Sequence, residues 1–527
     1  MKTEQIGVRV RTRSTRIEWT MVLAAGLWSL SILGCSDGAV RSDETRSDVS
    51  GTASEPAPSD TSMAETAAHG DDLFPPKSNG GEGAPSDGGG TSGITGGLRG
   101  LIQSMNVFEE AGVDEGLVQQ LDDASAQLGE IRKQNRVALR EMNRQVRVGV
   151  NSSAPNLLLI QVDRLPAAAF HGKADELSQI SQLVESGRIF SRYYAASSDL
   201  ATARWSLYTG RNPGVETATE SRQKLPANGQ SLPDLMWNGG YSTAFVGQWD
   251  DPDLPTGRGY EEWVGFRRRS AALPYPPAVS INQSEMRLIA NTEGDKQGVH
   301  AIDLFSAEAI QFLKRAQQAR RPFFLHVSFP QFVEGRGNEA EDRSVSERID
   351  SAVGKLVSAL RDLKMANATC IILTAESGPV GQAGVSQPET LPDGTRLFSH
   401  GLGEGNLHVP LVVNWPGMIS PGTTDHLCAA WDLLPTILEL TSTNRRPARS
   451  SGISFAPLLR SGKQKEHPLL YWSSPDRSAQ AVRKEDWKGV VLKGDSAVRL
   501  YDLKTDPGES VDLAKQHPDV IQQLLAK

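Results

Sequence analysis

Cysteine is scarce in this chain, which has only Cys35, Cys370 and Cys428 among its 527 residues. Neither a CxxC pair nor a Cys/His cluster occurs, and this excludes a structural zinc site of the common kind. Cys370 lies in an apolar, strand-like run, and Cys428 begins a stretch that we predict to be helical. A disulfide between these two cysteines is possible as an alternative. We favour two buried thiols that act as small apolar residues.

An excess of positive charge is also missing. The 55 Lys and Arg residues are outnumbered by 63 Asp and Glu residues, so the formal net charge is −8 and the isoelectric point is near 5.7. Proteins bind nucleic acids through clustered Lys and Arg that contact phosphates. We therefore expect no nucleic acid as a general partner.

The N-terminal apolar run is too short to span a bilayer comfortably. It extends from Thr20 to Gly34 and follows a basic stretch that contains Lys2, Arg9, Arg11, Arg13 and Arg16. This pattern is typical of an export signal. The run ends in Ile32-Leu33-Gly34-Cys35, which resembles a bacterial lipobox. We expect residues 1–35 to be a lipoprotein-type signal peptide with Cys35 lipidated; a plain secretory signal or a membrane anchor is the alternative. The protein is then exported, as a membrane-attached lipoprotein of the cell envelope or as a periplasmic or extracellular protein.

Residues 36–95 consist mostly of Gly, Ser, Asp, Glu, Pro and Thr, and Phe74 is the only aromatic residue among them. Such a segment cannot bury enough apolar surface to offset its conformational entropy, so we predict a disordered linker. It would hold a lipid-anchored folded part away from the membrane.

A helical segment is predicted for residues 96–150. Within it, residues recur at alternating four- and three-residue spacing: Leu117, Leu121, Ala124, Leu128, Ile131, Asn135, Ala138 and Met142. This is the pattern of a coiled-coil seam, which would form a homo-oligomer through residues 96–148. A single amphipathic helix packed on the globular part is the equally weighted alternative.

The globular part begins near residue 154, and apolar strands alternate there with helical periods, which indicates an α/β domain with a mostly parallel sheet over residues 154–464. We predict strands at 156–162, 242–246, 323–329 and 369–374, and helices at 175–187, 204–209, 231–239, 302–318 and 344–363. Residues 465–527 are predicted to form a small antiparallel subdomain, with strands at 469–472, 479–483, 487–492 and 499–502 and a closing helix at 517–526.

Several blocks of this globular part resemble the sulfatase family of the alkaline-phosphatase superfamily, in family order from Asn156 to Lys527. They read PNLLLI from Pro155, GGYSTAFVG from Gly239, PFFL from Pro322, IDSAVGKL from Ile349, VPLVVNWPG from Val409, and the tail AVR…DWK…LYDL…DPGE from Ala481. The resemblance implies an alkaline-phosphatase-like α/β fold. A fold by itself does not imply a chemistry.

The family's signature, C-x-P-x-R followed by a short helix and T-G-R, is similar to the stretch YAASSDLATARWSLYTGR from Tyr194 to Arg211. Arg204 and Thr209-Gly210-Arg211 hold their places. The nucleophile position, a Cys or Ser that matures to formylglycine in the family, is occupied by Leu200, and the proline by Thr202. A leucine side chain has no heteroatom, so nucleophilic catalysis of the family's kind is excluded.

The resemblance also implies a calcium site formed by an Asp pair after the first strand and by a later Asp-Asn pair. The corresponding residues here are Asp163 and Arg164, and Glu376 and Ser377. A guanidinium repels a metal ion, and we hypothesise that Arg164 replaces the ion by pairing with Asp163 or Glu376. We expect no cofactor, or Ca²⁺ if the metal site persists.

The family's sulfate-binding Lys and His correspond to Gln248 and Asp250 in the block GQWD. A second Lys corresponds to Ser399, next to His400, whose Gly-rich loop we place beside the presumed cleft. We interpret Asp250 as a solvated loop carboxylate rather than a new general acid, and Arg204 as a member of a structural ion pair. Taken together, these changes leave no activated nucleophile, Lewis acid or proton donor.

The leading prediction is an exported sulfatase-fold protein without turnover, a pseudo-sulfatase, which binds a sulfated glycan or a protein through the former cleft. The alternative is an active arylsulfatase-type sulfuric ester hydrolase that uses unconventional residues. A second alternative is a membrane-tethered scaffold that acts through its helical segment.

Overall fold

The computed structural model describes residues 154–525, except for 168–177, 216–224, 226–228, 252, 268–273, 293–297, 320, 331–338, 382–387, 392, 444–446, 448, 475 and 496. The predicted signal peptide with Cys35, the linker and the helical segment at 96–150 lie outside the described residues. None of the helices in the described part is long and apolar enough to cross a membrane.

The strands are bounded as follows: β1 Asn156–Val162, β2 Arg188–Phe190, β3 Tyr193–Tyr194, β4 Ser242–Trp249, β5 Glu262–Arg267, β6 Ala278–Ile281, β7 Ser284–Arg287, β8 Phe323–Phe329, β9 Thr369–Ala375, β10 Glu389–Thr390, β11 Arg396–Leu397, β12 Leu411–Asn414, β13 Gly422–Thr424, β14 Cys428–Ala429, β15 Leu470–Ser473, β16 Ala479–Lys484, β17 Trp487–Leu492 and β18 Arg499–Asp502. The helices are α1 Ser178–Glu185, α2 Leu200–Thr209, α3 Leu232–Asn238, α4 Ile289–Thr292, α5 Ala301–Ala319, α6 Glu339–Asp362, α7 Glu404–Leu407, α8 Leu433–Leu440, α9 Ala456–Leu459 and α10 Pro518–Leu525.

A ten-stranded sheet organises the α/β part, in the order β13-β2-β12-β9-β1-β8-β4-β5-β6-β7. Its five central strands, β9 to β5, pair in parallel, and the outer pairs are antiparallel except for β2 with β13. The carboxyl ends of β1, β4, β8 and β9 therefore meet at one edge of the sheet, where ligand sites of such sheets are found.

Strand β1 shows why this sheet is covered on both faces. Leu157 and Leu159 belong to one apolar core, whereas Leu158 and Ile160 belong to the other. Successive side chains of a strand point to opposite faces, so an uninterrupted apolar run must be buried on both. Helices α5 and α6 contribute to the second core, and α2, α3 and α8 contribute to the first.

A separate four-stranded antiparallel sheet, β15-β16-β17-β18, follows the α/β part. It is attached through buried charges that we call the junction cluster: Glu404, Arg483, Lys488 and Glu509. Lys488 Nζ lies 2.8 Å from Glu509 Oε1 and 3.4 Å from Glu404 Oε2, and Arg483 Nη1 lies 3.1 Å from Glu404 Oε1. Two cations therefore neutralise two carboxylates where helix α7 meets this sheet.

The predicted fold class is confirmed, a mostly parallel sheet flanked by helices with a small antiparallel sheet at the C-terminal end. One local prediction is wrong. Cys428 lies in a short strand that pairs with Tyr193, a 3-10 helix follows at Ala430–Asp432, and the α-helix begins at Leu433. The helical stretch begins after Ala429 because the carboxylate of Asp432 accepts a 2.8 Å hydrogen bond from the backbone N–H of Ala429. Cys370 and Cys428 are both buried free thiols.

Candidate functional site

Three carboxylates lie at the carboxyl edge of the parallel strands. Asp163 follows β1, Asp250 follows β4 and Glu376 follows β9. Backbone hydrogen bonds beyond the strands keep this edge in register, from the N–H of Asp163 to the carbonyl of Phe329 at 3.0 Å and from the N–H of Glu376 to the carbonyl of Val162 at 3.1 Å. Residues distant in sequence are thereby brought to one place.

Helix α2 presents its first turn at this edge. Asp199 caps it, because its carboxylate accepts a 2.9 Å hydrogen bond from the N–H of Thr202. Leu200, the first residue of the helix, is 3% exposed and belongs to the buried apolar residues. The helix was predicted to start at residue 204, but this cap moves its start to Leu200. The position that the resemblance gives to the nucleophile is thus a packed aliphatic side chain.

Arg204, one turn further along α2, is the central cation of the site. Its Nε donates to Glu376 Oε1 at 2.5 Å and its Nη2 to Glu376 Oε2 at 2.7 Å, which is a bidentate pair. Nη1 donates to the backbone carbonyl of Gln248 at 2.8 Å and lies 3.4 Å from Asp250 Oδ2, and Nη2 donates to Ser328 Oγ at 3.2 Å. We call Arg204, Glu376, Asp250 and Ser328 the site cluster.

Electrostatics keep Arg204 charged although its side chain is only 3% exposed. Burial by itself lowers the pKa of the guanidinium, but the carboxylates of Glu376 and Asp250 raise the pKa by more, and the net result is a raised pKa. The guanidinium carbon also lies 5.4 Å from the ring centre of Phe245 and 5.6 Å from that of Trp249. Such contacts favour a cation.

Asp250 corrects an expectation of the sequence analysis. The carboxylate was interpreted as solvated, but the side chain is 4% exposed and pairs with Arg204. Gln248, in the position of the family's Lys, is also buried, and its Nε2 donates to Asp250 Oδ1 at 3.3 Å. The expectation was wrong because the residues around Asp250 in the sequence do not show its partner, Arg204, which comes from helix α2.

Arg164 lies beside Asp163, with its Nε 3.9 Å from Asp163 Oδ1 and about a third of its side chain exposed (32%). Its φ of 54° places the backbone in the left-handed region, as a tight turn after β1 requires. Ser377 Oγ donates to the same Asp163 oxygen at 3.4 Å. Of the two partners that were hypothesised for Arg164, the structure thus places Asp163 beside it, and the cation that holds Glu376 is Arg204.

These donors do not fit a calcium ion. Calcium takes six to eight oxygen ligands at about 2.3–2.6 Å, with charge from carboxylates. Both oxygens of Glu376 accept hydrogen bonds from Arg204, and the guanidinium of Arg164 lies near Asp163. Among the described residues, no group of three or more His, Cys, Asp or Glu is arranged so that it could hold a metal ion.

His400 and Ser399 lie in a turn that approaches the start of α2. A Cβ on Gly401, whose φ is 72°, would meet Ser198 Oγ at 2.1 Å, so only glycine allows this approach. His400 stacks on Phe398 at 5.0 Å, and its Nδ1 accepts a 3.1 Å hydrogen bond from the N–H of Leu402. Burial, followed by the charges of Lys488 and Arg499, lowers the pKa of His400 to about 4. The neighbouring Ser399 is exposed.

The space beside Arg204 is small. A cavity of about 10 Å³ is lined by Ala201, Arg204, Trp205, Leu225, Asp250 and Asp251. This is the volume that one water molecule needs. A larger cavity of about 310 Å³ contacts Leu183, Val357, Ile371 and Asn414. It lies at the amino end of β9 and therefore at the opposite edge of the sheet from the site cluster.

Sequence reasoning missed Ser328, and it interpreted His326 in the same strand as a packed or surface imidazole. His326 is fully buried, and its Nδ1 lies 2.8 Å from the hydroxyl of Tyr208 and 3.1 Å from that of Tyr260. Burial, and then the charge of Arg204, lowers the pKa of His326 well below its usual value. A signal existed: His326 and Ser328 are two residues apart in β8, so they share a face of the sheet.

The geometry first defines the structural class of the protein. It is an α/β protein whose polar site lies at the carboxyl edge of a parallel sheet. Comparison with known proteins then gives the family. The sulfatase family model matches residues 155–332 and 340–443, and the model described as N-sulphoglucosamine sulphohydrolase, C-terminal, matches residues 400–527. The chain belongs to the sulfatase family.

Individual relatives agree with this. Arylsulfatase A of Bos taurus is 28% identical over 448 residues, which cover 71% of this chain and 86% of the relative. N-acetylgalactosamine-6-sulfatase of Sus scrofa is 25% identical, with 60% of this chain and 68% of the relative covered. Among solved structures, Ps i-CgsB gives a TM-score of 0.58 at 22% identity and covers 70% of this chain and 91% of its own. The PsFucS1 sulfatase of Pseudoalteromonas gives 0.56 at 19% identity, with 75% and 92% covered. At such identities the structural likeness concerns the fold alone.

Proposed function

We propose that this sulfatase-family protein does not hydrolyse sulfate esters by the nucleophilic mechanism of its family. One observation supports the proposal: Leu200, to which the motif resemblance assigns the nucleophile position, is a buried aliphatic residue at the start of α2. Nucleophilic catalysis needs an oxygen, sulfur or nitrogen atom that can attack and then leave. The side chain at this position offers none.

The neighbouring groups support the same proposal, because a general acid or base must reach the reacting atom and change protonation. Arg204 stays charged, since its pKa is raised by Glu376 and Asp250. His326 is fully buried, with its pKa lowered well below the usual value. Gln248, in the position of the sulfate-binding Lys, is a neutral amide.

A sulfated glycan or a protein is the partner class that we propose. The volume of about 10 Å³ beside Arg204 is far below the several hundred Å³ of ordinary ligand pockets, so we place such a partner outside the space beside Arg204. Arg164, with 32% of its side chain exposed, supplies a cation at this edge. Its charge would favour a sulfated or acidic partner.

The test is release of inorganic sulfate from a panel of aryl sulfates and sulfated sugars by the purified protein, with and without calcium. We expect no release above that of heat-denatured protein, while an active arylsulfatase in parallel shows that the assay works. Release that persists through purification, and that is lost in the Arg204→Lys or His400→Ala variant, would establish turnover and refute the proposal.

We also propose that the protein is exported and anchored through a lipid on Cys35, as the N-terminal sequence suggests. Cell fractionation of the full chain tests this. The natural chain should be found with membranes, and the Cys35→Ser variant in the soluble fraction or unprocessed. Equal membrane attachment of the processed variant would contradict lipid anchoring.

A further inference from the structure

The cavity of about 310 Å³ at the amino edge of the large sheet has apolar walls. We call it the amino-edge groove, and its apolar wall residues are Leu183, Val357, Leu360, Ile371 and Ile419. They come from helix α1, helix α6, strand β9 and the turn after β12. The groove is thus formed by two helices and the edge of the sheet next to them.

Hydrogen bonds between these elements keep the groove in shape. The backbone N–H groups of Gln179 and Ile180 donate to Asp350 Oδ1 at 3.1 and 2.7 Å, which ties the start of α1 to α6. Asn414 Nδ2 donates to the carbonyl of Ser186 at 2.9 Å, which ties β12 to the end of α1. Since the amide N–H of Asn414 is used within the protein, the groove offers mainly apolar atoms to an occupant.

An exposed methionine extends this apolar surface to the rim of the groove. Met418 is 58% exposed, although Gly417 and Ile419 on either side of it line the groove. The turn is held by a 3.0 Å hydrogen bond from the N–H of Met418 to the carbonyl of Trp415, and by a 2.9 Å bond from Trp415 Nε1 to the carbonyl of Asn367. A large apolar side chain beside an apolar groove indicates a surface that another element covers.

The part of the chain that the structure describes begins beside this groove. Asn156, the first residue of β1, pairs with Thr369, and its Nδ2 donates to Thr369 Oγ1 at 3.3 Å. Ile371 of the groove lies two residues further along β9, and neighbouring strands are about 4.8 Å apart. The residues that precede Asn156 therefore enter the fold at the same edge of the sheet as the groove.

The segment before this point has an apolar repeat that suits such a groove. Leu117, Leu121 and Leu128 are predicted to share one face of a helix, and a helix binds in a groove through side chains spaced in this way. Residues 143–155 can span up to about 45 Å when extended, which is enough to reach back to the groove. A linker of this kind gives an effective concentration on the order of millimolar, which favours contact within one chain.

We propose that residues 117–142 dock as an amphipathic helix in the amino-edge groove of their own chain, with leucines inserted between α1 and α6. Of the two alternatives for this segment, the inference selects the packed helix over the coiled-coil seam. The docked segment would lie at the opposite edge of the sheet from the site cluster. The inference does not depend on whether the protein hydrolyses an ester.

The experiment measures backbone hydrogen–deuterium exchange of the full chain at micromolar concentration. In the natural protein, we expect the amides of residues 117–142 to be protected to the same extent before and after dilution. Met418→Glu and Val357→Glu each place a charge in the groove, so each should speed exchange of residues 117–142 by roughly tenfold. Leu121→Asp combined with Leu128→Asp should speed exchange of that segment and also of residues 416–421.

Two matched variants separate docking from a general effect of added charge. Leu525→Glu changes a side chain that is 61% exposed on helix α10, away from the groove, and it should leave exchange of residues 117–142 unchanged. Gln119→Asp adds a carboxylate on the face of the predicted helix opposite to Leu117 and Leu121, and it should leave the groove residues unchanged.

Rapid exchange of residues 117–142 in the natural protein would overturn the inference, and so would protection that survives both groove variants. Sedimentation velocity adds an independent check. A lower mass of the Leu121→Asp, Leu128→Asp variant than of the natural protein would show that the segment joins two chains, which contradicts docking within one chain. If that double variant does not fold, Met418→Glu still decides, because the exposed position tolerates a charge. Release of sulfate bears on none of these outcomes and would refute only the proposed function.

Discussion

The site cluster and the junction cluster are both buried sets of charges, but they are balanced differently. In the junction cluster, Arg483 and Lys488 share the carboxylates of Glu404 and Glu509. In the site cluster, Arg204 contacts both Glu376 and Asp250. Among the described residues, two cations therefore share the junction cluster, whereas one guanidinium joins the two carboxylates of the site cluster.

The two clusters also differ in how they relate to the family pattern. Arg483, Lys488 and Glu509 fall in the tail block that resembles the sulfatase family, and they attach the C-terminal sheet. Leu200, Gln248 and Asp250 lie at positions to which the resemblance assigns the family's chemistry, and we propose that they replace its catalytic groups.

The largest effect that we predict compares one cation from each cluster. Arg204→Ala should lower the free energy of unfolding by about 3–5 kcal/mol, because two buried carboxylates lose the cation that contacts both of them. Arg483→Ala should cost about 1–3 kcal/mol, since Lys488 still contacts both Glu404 and Glu509. Urea denaturation of both variants in EDTA measures the difference. Equal losses would mean that the clusters are not balanced differently.

A somewhat smaller effect is expected for Leu200→Ser, which places a hydroxyl at the position that the resemblance assigns to the nucleophile. The loss of a buried aliphatic side chain should cost about 2–4 kcal/mol. We expect no sulfate release, because the Lys and His positions hold Gln248 and Asp250. Urea denaturation and the sulfate assay check the two parts. A variant as stable as the natural protein would argue against tight packing at this position, and release of sulfate would show that the missing nucleophile was the only barrier.

The pH dependence of stability tests the junction cluster through His400, on which the charge of Lys488 acts. Burial, followed by Lys488 and Arg499, lowers its pKa from 6.5 to about 4 in the folded protein. The unfolded chain therefore binds the proton first, so stability present above pH 6.5 is lost as the pH falls towards about 4. In His400→Gln, the acid-side loss of Tm should shrink by about 2–4 °C. Identical pH profiles of Tm would contradict this.

The smallest effect concerns the two buried thiols, which lie outside both clusters. Cys370 lies in β9, which leads to Glu376, and Cys428 lies in β14 beside β3. Burial raises the pKa of Cys370 to about 12 and also raises that of Cys428, where Asp432 and Glu466 add to it. A reductant should change Tm by less than about 1 °C, since no disulfide joins two free thiols. Iodoacetamide should label both cysteines only after unfolding; labelling of either in the native protein would show that its strand opens.

Much of the α/β architecture could be predicted from sequence because its signals are local. The bounds of β8, β17 and β18 agree with the prediction, since short runs of strand-forming residues end there at prolines or turns. The start of α2 was missed by four residues, although Asp199 was an available capping signal. The predictions for the N-terminal segments stay predictions.

The sequence by itself determined the family and the order of strands and helices, and Leu200 in the signature stretch is the basis of our proposal that the attacking atom is missing. Which cation neutralises the buried carboxylates was decided only in three dimensions. Arg204 and Glu376 are 172 residues apart, and their contact exists because α2 packs against the carboxyl ends of β4, β8 and β9. The apolar pattern that predicts a strand or helix involves only a few neighbouring residues. A buried ion pair instead depends on distances between residues that are brought together only when the sheet and the helix pack.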